Sequence, residues 1–151
     1  MIKKKNKLPA VYLLPNLVTS AALFCGFYSI ITAVSGNYIE SAVYILFAMI
    51  LDGLDGRVAR MTNTQTSFGE YFDSLSDMLC FGVAPALLIY LSSLSMFSFG
   101  YLAKVSYIAC FIYIASTAIR LARFNSRNQS TDKKYFIGLA SPAAAAILIC
   151  Y

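Results

Sequence analysis

Three observations predict an all-α fold, a polytopic transmembrane helical bundle. Hydrophobic residues make up 59% of the 151 and charged residues only 13%, against about 25% charged in an ordinary soluble domain. Apolar runs of about 20 residues, the length that crosses a hydrocarbon core about 30 Å thick, recur along the chain. The lysines and arginines fall almost entirely in alternate connections between those runs, the asymmetry that orients a membrane protein.

The runs occupy residues 12–34, 38–51 extending towards Arg57, 71–91 and 99–121. A fifth begins near Phe136 and stops at Tyr151. From Gly138 onward it covers about 21 Å at about 1.5 Å per residue, too little to cross. The C-terminal end is therefore expected to be incomplete, with five or six spans in the full-length chain. Residues 1–151 read as a single membrane domain without internal repeats, in which 1–14 form a basic interfacial segment and Pro15-Asn16 mark the turn into the first span. Residues 35–37 and 92–100 read as external turns, and 125–134 as a polar cytoplasmic loop. The alanine run at 143–146 suits a helix interface, where small side chains let backbones approach.

If the N-terminal Lys3, Lys4, Lys5 and Lys7 lie inside, then Arg57, Arg60, Arg120, Arg123, Arg127, Lys133 and Lys134 do too, leaving Lys104 outside. This predicts an integral protein of the inner (cytoplasmic) membrane whose functional face looks into the cytoplasm. The net charge of +5 then points to anionic headgroups or phosphates and away from nucleic acid. Cys25, Cys80, Cys110 and Cys150 stand singly in apolar segments and read as small core residues. The chain has no histidine, which excludes a His-based general base, a His/Cys zinc site and a Ser-His-Asp triad.

Five of the seven acidic residues lie between Leu51 and Met78. Asp52 and Asp55, three apart, share one helix face; Asp73 and Asp77, four apart, share another. Gly53, Gly56 and Gly69 sit among them, where a missing side chain lets a ligand approach the backbone. Glu70 reads as a solvated neighbour off the Asp73/Asp77 face. The bland alternative makes these acids helix caps, a solvated loop, or partners of Arg57 and Arg60. Two arginines cannot neutralise four converging carboxylates, however, and acids at a membrane surface are costly unless functional. Two divalent cations, Mg2+ or Mn2+, would supply the missing charge through hard oxygen ligands. Carboxylates bridging metals beside an arginine are equipment for phosphoryl transfer between oxygens. At the membrane edge, such a site suits a substrate with a charged head in water and acyl tails in lipid.

Asp52-x-x-Asp55-Gly56-x-x-Ala59-Arg60, eight residues, then Gly69-x-x-x-Asp73-x-x-x-Asp77 resembles the signature of the CDP-alcohol phosphatidyltransferase family without a substitution. "LPNLVTSAALFCGFYSI", "DSLSDMLCFGVAPALLIY", "RLARFN" and "GLASPAAAA" look like the family's phosphatidylserine synthase branch, with Ala140 standing where that branch has proline. The resemblance covers nearly the whole chain. It implies a transferase that moves the phosphatidyl group from CDP-diacylglycerol to an alcohol, here the L-serine hydroxyl, with release of CMP. It also implies a homodimer. Carried over, Asp52, Asp55, Asp73 and Asp77 would hold the metals, and Asp77 would accept the alcohol proton. Asn16, Gly56, Arg60, Thr66 and Gly69 would contact CDP-diacylglycerol. Arg120, Arg123 and Ser141 are candidates for the serine pocket, the arginines through its carboxylate. Ordinary readings stand beside these: Thr66 as a loop hydroxyl, Asn16 as a helix-start residue, Arg120 and Arg123 as inside-positive anchors. Glycerol 3-phosphate or inositol are the alternative acceptors. The rival from another class is a cation transporter or metal-binding scaffold, although transporters set their acids nearer the midplane.

Overall fold

The computed structural model describes residues 9–62, 66–96, 100–128 and 141–149, without the side chains of 9–14, 60, 95–96, 100–104, 127–128 and 141. Its elements are α1 (Pro9–Val34), α2 (Tyr38–Thr62), α3 (Ser67–Asp77), a π-helical segment (Met78–Val83), α4 (Ala84–Met96), α5 (Gly100–Asn128) and α6 (Ser141–Ile149). No strand occurs among the described residues. Three stretches among them are long and apolar enough to cross a membrane: Pro15–Val34, Ser67–Leu94 and Val105–Ser126. The chain is thus an all-α, polytopic membrane protein. α2 is long too, 25 residues, but its second half carries Asp52, Asp55, Arg57 and Arg60, leaving an apolar part of about 21 Å at 38–51.

Several boundaries differ from the sequence expectation. α1 begins at Pro9 and continues through Pro15, so Pro15-Asn16 form no turn. Proline withholds one ladder hydrogen bond, a loss that membrane helices tolerate when neighbours compensate. The third span starts at Ser67, because α3, the π segment and α4 form one uninterrupted helix. α5 continues to Asn128 and α6 starts at Ser141, so the polar stretch from Asn125 is helical for its first turn. Residues 129–140, the rest of that expected loop and the start of the expected fifth run, lie outside the described residues.

The α1–α2 turn shows how local chemistry sets topology. Gly36 adopts φ +85°, a conformation that suits a residue without Cβ. It lets the Gly36 N–H reach the Ala33 carbonyl and the Asn37 N–H reach the Thr32 carbonyl, both at 3.0 Å, the double bond of a Schellman stop. The chain reverses within three residues and α2 returns along α1. Between them, the Ser29 and Ser41 hydroxyls pair at 2.9 Å, both buried.

The core is made of small residues and a few large ones: Ala33, Ile45, Ala48, Cys80, Phe81, Ala84, Leu88 and Ala145. With no hydrophobic gain from leaving lipid, membrane helices associate through close packing, and small residues permit it. The tightest approach joins α1 to the π segment. A Cβ built on Gly26 would sit 2.5 Å from the Cys80 sulfur and 3.2 Å from the Cys80 Cα. Ala145 is fully buried on α6, as the alanine run suggests. Cys80 is a core residue, Cys25 and Cys110 are partly buried, and none of the three forms a disulfide.

The π segment touches every other helix of the bundle. Its signature is a bond from the Ala84 N–H to the Leu79 carbonyl, five residues back. Pro85 follows, and it has no N–H to give the Phe81 carbonyl. The Tyr113 hydroxyl of α5 donates to that carbonyl at 2.7 Å. A widened turn directly after Asp77 is therefore tied down from a neighbouring helix.

Candidate active site

The acidic residues meet where carboxylates from the second half of α2 and from α3 converge, with α1 packed against both helices. α3 is an inverted amphipathic helix. Phe68, Tyr71 and Leu75 are exposed, whereas Gly69, Asp73 and Ser74 face a cavity and Ser76 is buried. Apolar side outward and polar side inward is the arrangement expected of a helix with lipid on one side and a polar site on the other.

One ligand oxygen each from Asp52, Asp55 and Asp73 lie within 4.8 Å of one another. Asp77, one turn beyond Asp73, lies close enough to Asp52 for the two carboxyl groups to interact. Two charged carboxylates so near each other repel unless a proton or a cation lies between them. Oδ1 of Asp73 is buried and has no hydrogen-bond partner, and orphaned buried acceptors are costly. Three converging hard oxygens with one unsatisfied lone pair fit a divalent cation. Arg57 is exposed, and the Arg60 side chain lies outside the described ones.

A cavity of about 350 Å³ opens beside the cluster. Asn16 and Thr19 of α1, Asp55, Gly56 and Ala59 of α2, Gly69, Glu70, Asp73 and Ser74 of α3, and Phe124 and Asn125 of α5 line it, together with Pro15 and Thr66. Four of the five residues expected at the nucleotide, Asn16, Gly56, Thr66 and Gly69, therefore share one cavity with Asp55 and Asp73. Asn16 is not a helix-start residue, since α1 begins seven residues earlier at Pro9. Thr66 is the N-cap of α3, its hydroxyl accepting from the Gly69 N–H at 3.1 Å, which leaves its own proton free for a ligand. Gly69 is needed for closeness: a Cβ there would lie 3.1 Å from the Thr66 hydroxyl and 3.3 Å from the Asn16 side-chain oxygen.

One expectation is corrected in part. Glu70 is exposed, as a solvated neighbour is, yet it lines the cavity together with Asp73, because positions 70, 73 and 77 are i, i+3 and i+7 on one face. Gly53 is exposed, does not line this cavity, and a Cβ on it would meet nothing within 4 Å. Arg120 is half-buried and Arg123 exposed on α5, and neither lines the cavity, which takes Phe124 and Asn125 from that helix. Ser141 opens α6, with its side chain outside the described ones.

Sequence reasoning missed two contributors. Thr19, 4% exposed, donates to Asp55 Oδ2 at 2.6 Å. Asn125 accepts from the Ser74 hydroxyl at 3.1 Å, joining α5 to α3 across the cavity.

A family model for CDP-alcohol phosphatidyltransferases matches residues 12–151. The chain belongs to the CDP-alcohol phosphatidyltransferase family. Among curated members, a Helicobacter pylori protein (strain ATCC 700392 / 26695) is 42% identical over 140 residues, 92% of this chain and 56% of its own length. A Mycobacterium leprae protein is 36% identical over 142 residues, 91% of this chain and 45% of its own length. One from Saccharomyces cerevisiae is 34% identical over 148 residues, 89% and 51% of the two lengths. All three are named CDP-diacylglycerol–serine O-phosphatidyltransferase. The chain spans about half the length of the curated relatives it matches.

Proposed function

We propose that this chain carries the transfer site of a CDP-diacylglycerol–serine O-phosphatidyltransferase. The observation that carries the reading is the convergence of Asp52, Asp55 and Asp73, with its unpartnered Asp73 oxygen, beside a cavity that Asp55 and Asp73 line. The names of the relatives supply the substrates. Asp52, Asp55 and Asp73 would hold one divalent cation, and Asp77 would complete the site of a second. Mg2+ or Mn2+, when bound, offsets the charge of the pyrophosphate and of departing CMP.

The chain's own residues do the rest. Asn16, Gly56, Arg60, Thr66 and Gly69 bind and orient the nucleotide end. Leu17, Leu54 and Phe68, all exposed, adjoin cavity residues in sequence and offer an apolar exterior along which acyl chains can lie. Asp77 takes the proton from the serine hydroxyl as its oxygen bonds to the phosphatidyl phosphorus, and the bond from that phosphorus to the CMP oxygen breaks. Arg120 or Arg123 holds the serine carboxylate, Arg120 standing one helical turn from the cavity residue Phe124, and Ser141 adjoins the acceptor. The distribution of lysines and arginines supports a site at the cytoplasmic face of the inner membrane, and the family resemblance supports a homodimer.

The test is CMP release from CDP-diacylglycerol with serine, glycerol 3-phosphate and inositol, each with and without chelator. Serine-dependent, chelator-sensitive release is expected; release with another acceptor alone would reassign the alcohol, and cation uptake without release would favour a transporter. Replacing the responsible arginine should raise the serine KM far more than that for CDP-diacylglycerol.

A further inference from the structure

We infer that Thr19 is a positioning residue for the metal ligand Asp55: its hydroxyl fixes one carboxylate oxygen so that the group meets Asp52 and Asp73 in a single orientation. The inference rests on the metal reading given above. It starts from a buried threonine on an apolar helix, whose ordinary role is to bond the carbonyl four residues back. That contact exists, from Thr19 Oγ1 to the Pro15 carbonyl at 3.1 Å. The same oxygen lies 2.6 Å from Asp55 Oδ2. A hydroxyl has one proton, and the shorter, charge-assisted partner takes it. Pro15's carbonyl can also be served by the helix ladder, whereas Asp55 lies across the interface on α2.

Burial makes the contact consequential. Thr19 is 4% and Asp55 5% exposed, so bulk water has little access to the bond between them. A carboxylate on a single Cβ can swing about its terminal torsion. With Oδ2 held by α1, that swing is stopped, and the ligand set is built from three helices although its acids come from two. Partners behind a ligating carboxylate commonly govern metal affinity in this way. A nucleotide contact would be a different role for the same side chain, and it separates by what it changes.

The test uses the full chain in detergent micelles and titrates Mn2+ by electron paramagnetic resonance, reading the free-ion signal. Thr19→Val keeps the shape and removes the hydroxyl; Thr19→Ala also removes it without filling the site; Thr19→Ser keeps it. Val and Ala should weaken Mn2+ binding by about ten-fold or more, with Ser within about two-fold of the parent. At saturating Mn2+ the CDP-diacylglycerol KM should change by a smaller factor than the Mn2+ affinity in the Val and Ala proteins. Unaltered Mn2+ affinity in the folded Val or Ala protein, or a Ser protein as weak as these, overturns the role of Thr19 while leaving the metal reading intact. A parent protein that binds no Mn2+ overturns both.

Discussion

The stretches 67–94 and 105–126, of 28 and 22 residues, are nearly equal in mean hydropathy, 1.7 and 1.6, yet 44% of an 18-residue apolar window in the first and 6% of one in the second is buried within the chain. Hydropathy measures whether a helix can sit in lipid, and both can. Residue size decides which becomes the core. The first stretch presents Cys80, Gly82, Ala84 and Ala86, all buried, and packs against every neighbour through its π segment. The second presents Tyr107, Ile108, Phe111, Ile112 and Ile119, all more than half exposed. Where lipid is as apolar as leucine, close contact between backbones outweighs apolar area.

This contrast can be broken at graded cost. Asp77→Asn, in the buried stretch at the proposed base, should lower CMP release by roughly 10²- to 10⁴-fold, the usual worth of a positioned acid–base group. Full turnover in that variant would end the base assignment. Gly26→Ala drives a methyl into Cys80 and should cost about 1–3 kcal/mol of stability through overpacking, read as a lower melting temperature in detergent. Tyr113→Phe strips the Phe81 carbonyl of its hydroxyl partner and should cost about 0.5–1.5 kcal/mol; an unchanged melting point would mean that the π turn holds itself. Ile112→Ala, on the outward face of α5, should stay within about 0.5 kcal/mol of the parent. A large loss there, dependent on protein concentration, would show that a second copy covers that face.

The acids were legible in the sequence because spacing alone puts Asp52 with Asp55 and Asp73 with Asp77 on shared faces. Their type, in a chain so poor in charge, demanded compensation. Glycine at 69 was legible because it sits among those acids, where a missing side chain permits close approach to the backbone. The π segment was not, because its composition is that of any apolar helix and only the displaced bond to Leu79 distinguishes it. Thr19 was hidden by its commonness: a threonine on a spanning helix bonds its own backbone unless a partner from elsewhere comes closer, and that partner is set by packing. Asn125 lay in a stretch read as loop, where the helix runs on to Asn128. Glu70 was misplaced by arithmetic on helix angle, which the cavity lining corrects.

Asp52 and Asp77 stand only 25 positions apart, and the order of synthesis gives that nearness meaning. The entropy of joining chain segments grows with their separation, and a nascent protein commits its N-terminal portion first. Thr19 has already left the ribosome when Asp55 follows, and Asp73 and Asp77 arrive one hairpin later, each meeting counterparts that are waiting. The most expensive charges to bring into a bilayer are thus gathered by contacts within the first 77 residues, which need no part of α5.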